Sequence, residues 1–99
     1  MASPASSGVL RVVLDHDVKS GTLTIWVDGR RSLTRRLSSR TRRTVDASLR
    51  LRPGPREIRV EVRWNGRAKS ARTKTTVATN VTRRLNARLR DGSLSVDWE

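Results

Sequence analysis

Apolar and polar residues alternate along this chain with a period of two, and glycines interrupt the alternation at Gly8, Gly21, Gly29, Gly54, Gly66 and Gly92. Runs of that kind between glycine turns predict β-strands, not helices. A first strand is predicted over residues 9–14, with Leu10, Val12 and Leu14 on one face, followed by a loop over 15–21. A second covers 22–27, where Leu23, Ile25 and Val27 alternate with Thr22, Thr24 and Trp26. Asp28-Gly29 supplies the positive-φ positions of a tight hairpin and leads into a return strand over 30–37, with Leu33 and Leu37 inward. A fourth strand over 44–51 ends at Pro53-Gly54-Pro55, since proline cannot donate to a ladder.

The strictest alternation lies in 57–64, where Ile58, Val60, Val62 and Trp64 interleave with Glu57, Arg59, Glu61 and Arg63. Asn65-Gly66 is the strongest hairpin signal in the chain. It leads into a Thr-rich strand over 68–78, a turn at Thr79-Asn80, and a strand over 81–90 with Val81, Leu85, Ala87 and Leu89 inward. Asp91-Gly92 turns the chain into a last strand bearing Leu94, Val96 and Trp98. The pattern therefore predicts an all-β domain over 9–99, a small antiparallel β-sandwich of seven or eight strands, with a small closed barrel as the alternative. Its core is expected from Leu10, Val12, Leu23, Ile25, Val27, Val45, Leu49, Ile58, Val60, Val62, Leu85, Leu89, Leu94 and Val96. Residues 1–8 read as a disordered leader or linker remnant without the apolar centre of a signal peptide.

Composition narrows the chemistry. Ninety-nine residues form one domain, and no apolar run approaches the ~18–20 residues of a membrane-spanning helix. The chain has no Cys, which excludes disulfides and thiolate ligands, and a single His. No catalytic group, metal ligand set or cofactor motif is legible, and an enzyme is not expected. Lys and Arg number 22 against 9 acids, a net charge of +13. Such a balance favours anionic partners: nucleic acid, an anionic polymer or an acidic protein.

The charge concentrates in residues 30–43, where Arg30, Arg31, Arg35, Arg36, Arg40, Arg42 and Arg43 occur without one acid. Guanidinium forks bind phosphate, sulfate and carboxylate bidentately, so the segment is a candidate anion dock; the plainer reading is a solvated hairpin. Trp26 falls on the polar side of its strand, where it could stack a sugar ring or a base, or hold an Arg over its ring. Asp15-His16-Asp17 is read as a polar turn, because three consecutive residues rarely converge on one ion.

The stretches Gly21-Thr-Leu-Thr-Ile-Trp-Val-Asp-Gly29 and Leu49-Arg-Leu-Arg-Pro-Gly-Pro-Arg-Glu-Ile-Arg-Val60 resemble the G-x-L-x-I-x-V-D-G and L-x-P-G-x-H-x-I-x-V patterns of PEGA-type domains, over roughly residues 9–90. Where that family carries an acidic Pro-Glu-Gly-Ala segment, this chain carries the basic residues 30–43. The resemblance implies an Ig-like bacterial β-sandwich that acts as a non-enzymatic interaction or spacer module of an envelope-associated protein. It also implies an extracytoplasmic location if the chain belongs to such a protein, and a cytoplasmic one otherwise. The alternative function is a nucleic-acid-binding β-domain that uses the arginines of 30–43 for phosphate and Trp26 for stacking.

Overall fold

A computed structural model describes residues 7–38, 40 and 43–99. Residues 1–6 of the expected leader lie outside the described residues, as does Arg42, whereas Gly8 already pairs with Leu51. Eight strands follow: β1 (Gly8–His16), β2 (Gly21–Val27), β3 (Arg30–Leu37), β4 (Thr44–Leu51), β5 (Gly54–Trp64), β6 (Arg67–Val77), β7 (Thr82–Arg90) and β8 (Ser93–Trp98). Among the described residues no helix is long and apolar enough to cross a membrane.

The strands form two four-stranded sheets, β4-β1-β7-β8 and β3-β2-β5-β6. Neither closes on itself, so the fold is a sandwich and not the barrel. One ladder departs from the expected antiparallel scheme: β1 and β7 run parallel. Successive strands alternate in direction, so two odd-numbered neighbours must run the same way. The chain from β2 to β6 supplies the long crossover that a parallel pair requires.

The inner faces meet in an aliphatic core. Leu10, Val12, Leu14, Leu85, Ala87 and Leu89 come from one sheet; Leu23, Ile25, Val27, Leu37, Ile58, Val60 and Val62 come from the other. Each buried Leu, Ile or Val is worth ~1.5–3 kcal/mol against exposure. Val45, Leu49, Leu94 and Val96 are half-buried against this core, and Trp64 and Trp98 close its margins. The Trp98 indole N–H donates to Thr73 Oγ1 at 2.8 Å, which ties β8 to β6 across the sandwich.

Three local readings are corrected. β1 runs on to His16, which continues the inward series Leu10, Val12, Leu14 and is fully buried, so residues 15 and 16 are strand and not loop. The Val18 amide donates to its Nδ1 at 3.1 Å, which starts the turn toward β2. β5 begins at Gly54, not after Pro55. β2 reaches no further than Ile58 on that strand, so Pro55 sits where β5 is paired on one side only and a missing N–H is tolerated. Val81 precedes β7 and is 44% exposed, outside the inward set.

The hairpin turns follow the sequence signals. Asp28-Gly29, Asn65-Gly66 and Asp91-Gly92 all carry paired positive φ angles, the backbone of two-residue hairpins that match the strand twist. Asp28 does more than turn the chain: its Oδ1 accepts from the Glu57 amide at 2.9 Å, anchoring the turn to β5.

Two glycines respond to different forces. A Cβ on Gly66 would meet no atom within 4 Å, but φ is +70°, so Gly66→Ala is expected to lose about 1–2 kcal/mol through backbone strain alone. A Cβ on Gly21 would lie 2.4 Å from the Arg63 carbonyl oxygen, which is backbone and cannot swing away. Gly21→Ala should therefore lose more, over about 2 kcal/mol by overpacking. Chemical denaturation of both variants tests this; equal losses would mean that β2 does not approach β5 so closely.

Candidate functional site

The arginines of residues 30–43 are contiguous in sequence but not in space. β3 is an edge strand paired only with β2, and the ladder carries a bulge between Ile25 and Trp26. Arg31 lies opposite Trp26 and Arg36 opposite Thr22, which places both on the outer face. Arg30 and Arg35 lie opposite Val27 and Leu23, on the inward side, where they are exposed at the sheet's edge. Arg40 and Arg43 belong to the β3–β4 connection at the end of the domain where β1 finishes, since the Arg43 carbonyl accepts from the His16 amide at 2.9 Å. A strand cannot present adjacent residues on one face.

The outer face of β3-β2-β5-β6 instead collects cations from three strands. The register aligns Arg31, Trp26, Arg59 and Arg72 in one row across all four strands. The guanidinium of Arg59 sits 4.6 Å from the centre of the Trp26 ring, a cation–π contact that holds it flat against the sheet. Neither Trp26 Nε1 nor Arg59 Nε, both shielded from solvent, has a hydrogen-bond partner among the described residues. A recess of about 90 Å³ opens beside them, lined also by Gly29, Glu57 and Arg72. Arg36 and Arg63 flank Thr22 in a second row, and Lys74 stands opposite Glu57. Of these cations only Arg63 meets an acid, Glu61 at 3.1 Å.

The outer face of β4-β1-β7-β8 pairs most of its arginines by contrast, Arg50 opposite Val9 being the exception among the described residues. Arg11 grips Asp46, Arg84 meets Glu99 at 2.9 Å, and Arg90 and Arg88 share Asp15 at 2.9 and 4.0 Å. The Arg90 hydrogen bond and the nearby positive charges hold the Asp15 carboxyl below the usual Asp range, and Arg11 does the same to Asp46. Asp15-His16-Asp17 accordingly does not act as a unit: Asp15 points out to β7, His16 points into the core, and Asp17 lies in the following loop.

Arg59, Arg72 and Lys74 were not among the residues singled out from sequence. Arg59 alternates with Glu57 and Glu61, a pattern that reads as cross-strand ion pairing on a wet surface, while Arg72 and Lys74 are scattered among threonines. The available signal was the outward parity of each strand taken together with its neighbours, which requires the strand order. Comparison with protein-family models, curated proteins and solved structures yields no match to this chain.

The neutralised face has a pH signature. A carboxyl whose folded pKa is depressed contributes stability that is present above its unfolded pKa and lost as pH falls. Asp46→Asn should lower the melting temperature by a few degrees at most at pH 7, because the pair is exposed. The gap between wild type and variant should close as the pH falls well below about 3.9, the ordinary Asp value. A gap that persists in acid would mean that the Arg11–Asp46 pair is not its source.

Proposed function

We propose that this domain is a non-enzymatic interaction module that holds anionic polymers on the outer face of the β3-β2-β5-β6 sheet. The observation that carries the reading is the contrast between the two outer faces among the described residues: one pairs all its arginines but Arg50 with acids, while the other leaves Arg31, Arg36, Arg59, Arg72 and Lys74 without an acid within ion-pair distance. Arg59, rested on Trp26, loses little side-chain freedom on gripping an oxyanion. Phosphate, sulfate and uronic carboxylate all suit such a fork. As a PEGA-type module it would serve as an interaction or spacer unit of a bacterial envelope-associated protein.

The nucleic-acid alternative uses the same face, and the Arg59–Trp26 stack favours it, since a base can extend such a stack. A salt series separates the two. Binding should be measured to single-stranded DNA, duplex DNA, a sulfated polysaccharide and a polyuronate. The expected outcome is salt-fragile binding to all four without preference for nucleic acid. Replacing Arg31, Arg59 and Arg72 by Ala should flatten the log–log salt slope on single-stranded DNA by about 2, at roughly 0.7 per phosphate contact. Arg30→Ala/Arg35→Ala should flatten it less. A triple variant that binds like wild type would sink the assignment of this face. Tight selective binding of single strands with quenching of Trp26 would make the protein a nucleic-acid-binding domain.

A further inference from the structure

The loops β1–β2, β3–β4, β5–β6 and β7–β8 gather at one end of the sandwich because successive strands alternate in direction. Loops held by a rigid scaffold are where binding sites concentrate. Between three of them lies a recess of about 460 Å³, within the size range of small-molecule sites. Its base is apolar, formed by the buried side chains of Val18 and Leu89. Trp64 forms a wall, and it also lines a second recess of about 420 Å³ beside the first. The rim is polar: Asp17, Lys19, Ser20, Asn65 and Asp91.

Two features set this place apart. The first is Trp64, which packs one side against the core: Trp26 carries Arg59 and Trp98 carries Arg83 at 5.2 Å, but among the described residues no cation lies over Trp64, although Arg67 is its direct partner across the hairpin. The second is charge. The lining sets Asp17 and Asp91 against Lys19, a more acidic balance than the chain's net +13, and neither carboxylate has an ion-pair partner within 4 Å among the described residues, although Arg90 is close enough to act on both.

We propose that this loop-end recess binds a pyranose ring of a neutral oligosaccharide, stacked on Trp64. A sugar ring offers an apolar face to an indole and a rim of hydroxyls that both donate and accept. The recess answers with acceptors in Asp17 and Asp91, donors in Lys19, and both in Asn65 and Ser20. A quaternary ammonium ligand fits less well: cages for such cations use several aromatic rings, and only one stands here, beside an ammonium group. With two carboxylates against one lysine in its lining, the recess favours a neutral ligand over an anionic one, which distinguishes it from the basic face. The hairpin turns that carry Asn65 and Asp91 have fixed positive-φ geometry, so the walls are rigid before ligand arrives.

The three indole N–H signals in a nitrogen–proton correlation spectrum provide the test, one each for Trp26, Trp64 and Trp98. Cello-, malto-, xylo- and chito-oligosaccharides should be titrated separately into the intact chain. At least one should move the Trp64 signal saturably, with Kd near millimolar, and leave the other two in place. In Trp64→Ala, which lacks that signal, the backbone amide signals of Asn65 and Asp91 report instead, and the same sugar should no longer shift them. Should that variant fold poorly, Asp91→Asn retains a residue tolerant of positive φ and should weaken binding by roughly tenfold without altering the melting temperature. The proposal is overturned if none of the four moves the Trp64 signal at about ten times a millimolar Kd. It is equally overturned if choline moves that signal and sugars do not, or if Asp91→Asn and Asp17→Asn both bind as wild type does.

Discussion

Each strand of this domain can bury side chains on one side only, and the whole molecule depends on how strictly the chain keeps to that side. The core contains no Phe or Tyr and places its tryptophans at the margins, so it is built from Leu, Ile, Val and Ala from two sheets. A core this thin cannot absorb a misplaced charge, because an unpaired buried ion is far costlier than any one aliphatic contact is worth. The arginines are therefore driven to outer faces, edges and loops. Where one falls on an inward position, as Arg83 does opposite Leu10, it sits at the core's margin with its guanidinium over Trp98. Trp98 in turn is fixed by its bond to Thr73, so the same ring closes the core, joins the sheets and shelters a cation.

That constraint creates an electrostatic problem that the two sheets resolve differently. On the β4-β1-β7-β8 sheet the strand order brings Asp15, Asp46 and Glu99 within reach of arginines. On the other sheet, Arg59 and Arg72 stand directly opposite each other on β5 and β6, an arrangement that is destabilising between like charges. Glu57 and Glu61 dilute the repulsion but pair with only one of the cations. What remains must be screened by counterions, and an anionic polymer that displaces them gains their release entropy. The unfavourable term in the free domain thus becomes the driving force for binding.

The fold was legible because its signals are local and independent. Alternation located all eight strands, and Asp28-Gly29, Asn65-Gly66 and Asp91-Gly92 marked hairpins through their need for positive φ. What could not be read was anything that depends on strand order. The parallel β1–β7 pair is one case, and the basic face is another: its members lie at Arg31, Arg36, Arg59, Arg63, Arg72 and Lys74 and become neighbours only through the register. The arginine run at 30–43 drew attention by density, yet strand parity and one bulge divide Arg30, Arg31, Arg35 and Arg36 between two sides of an edge strand, and Arg40 and Arg43 fall in the connection beyond it. His16 was misjudged for a simpler reason. A histidine after three alternating aliphatics looks polar, but the alternation continues through it into the core.

The three tryptophans show how one residue type takes on opposite duties in a chain so rich in arginine. With 22 cations available, an exposed indole face readily acquires a guanidinium, and Trp26 and Trp98 have done so. At Trp26 the capped ring becomes part of an anion-gripping surface, because the cation it holds is the group that does the binding. Trp64 lies between Arg63 and the turn to Arg67, yet among the described residues no cation stacks on its ring, and the recess beside it sets Asp17 and Asp91 against Lys19. The lateral face and the loop-end recess thus differ in the balance of charge in their linings as well as in position. A polyanion drawn to Arg59 finds carboxylates at the loop end, and a neutral ring suited to Trp64 finds Arg59 already stacked on Trp26. The two surfaces select by different features, charge on the lateral face and an apolar base with a polar rim at the recess, so one small sandwich offers two separate places for ligands.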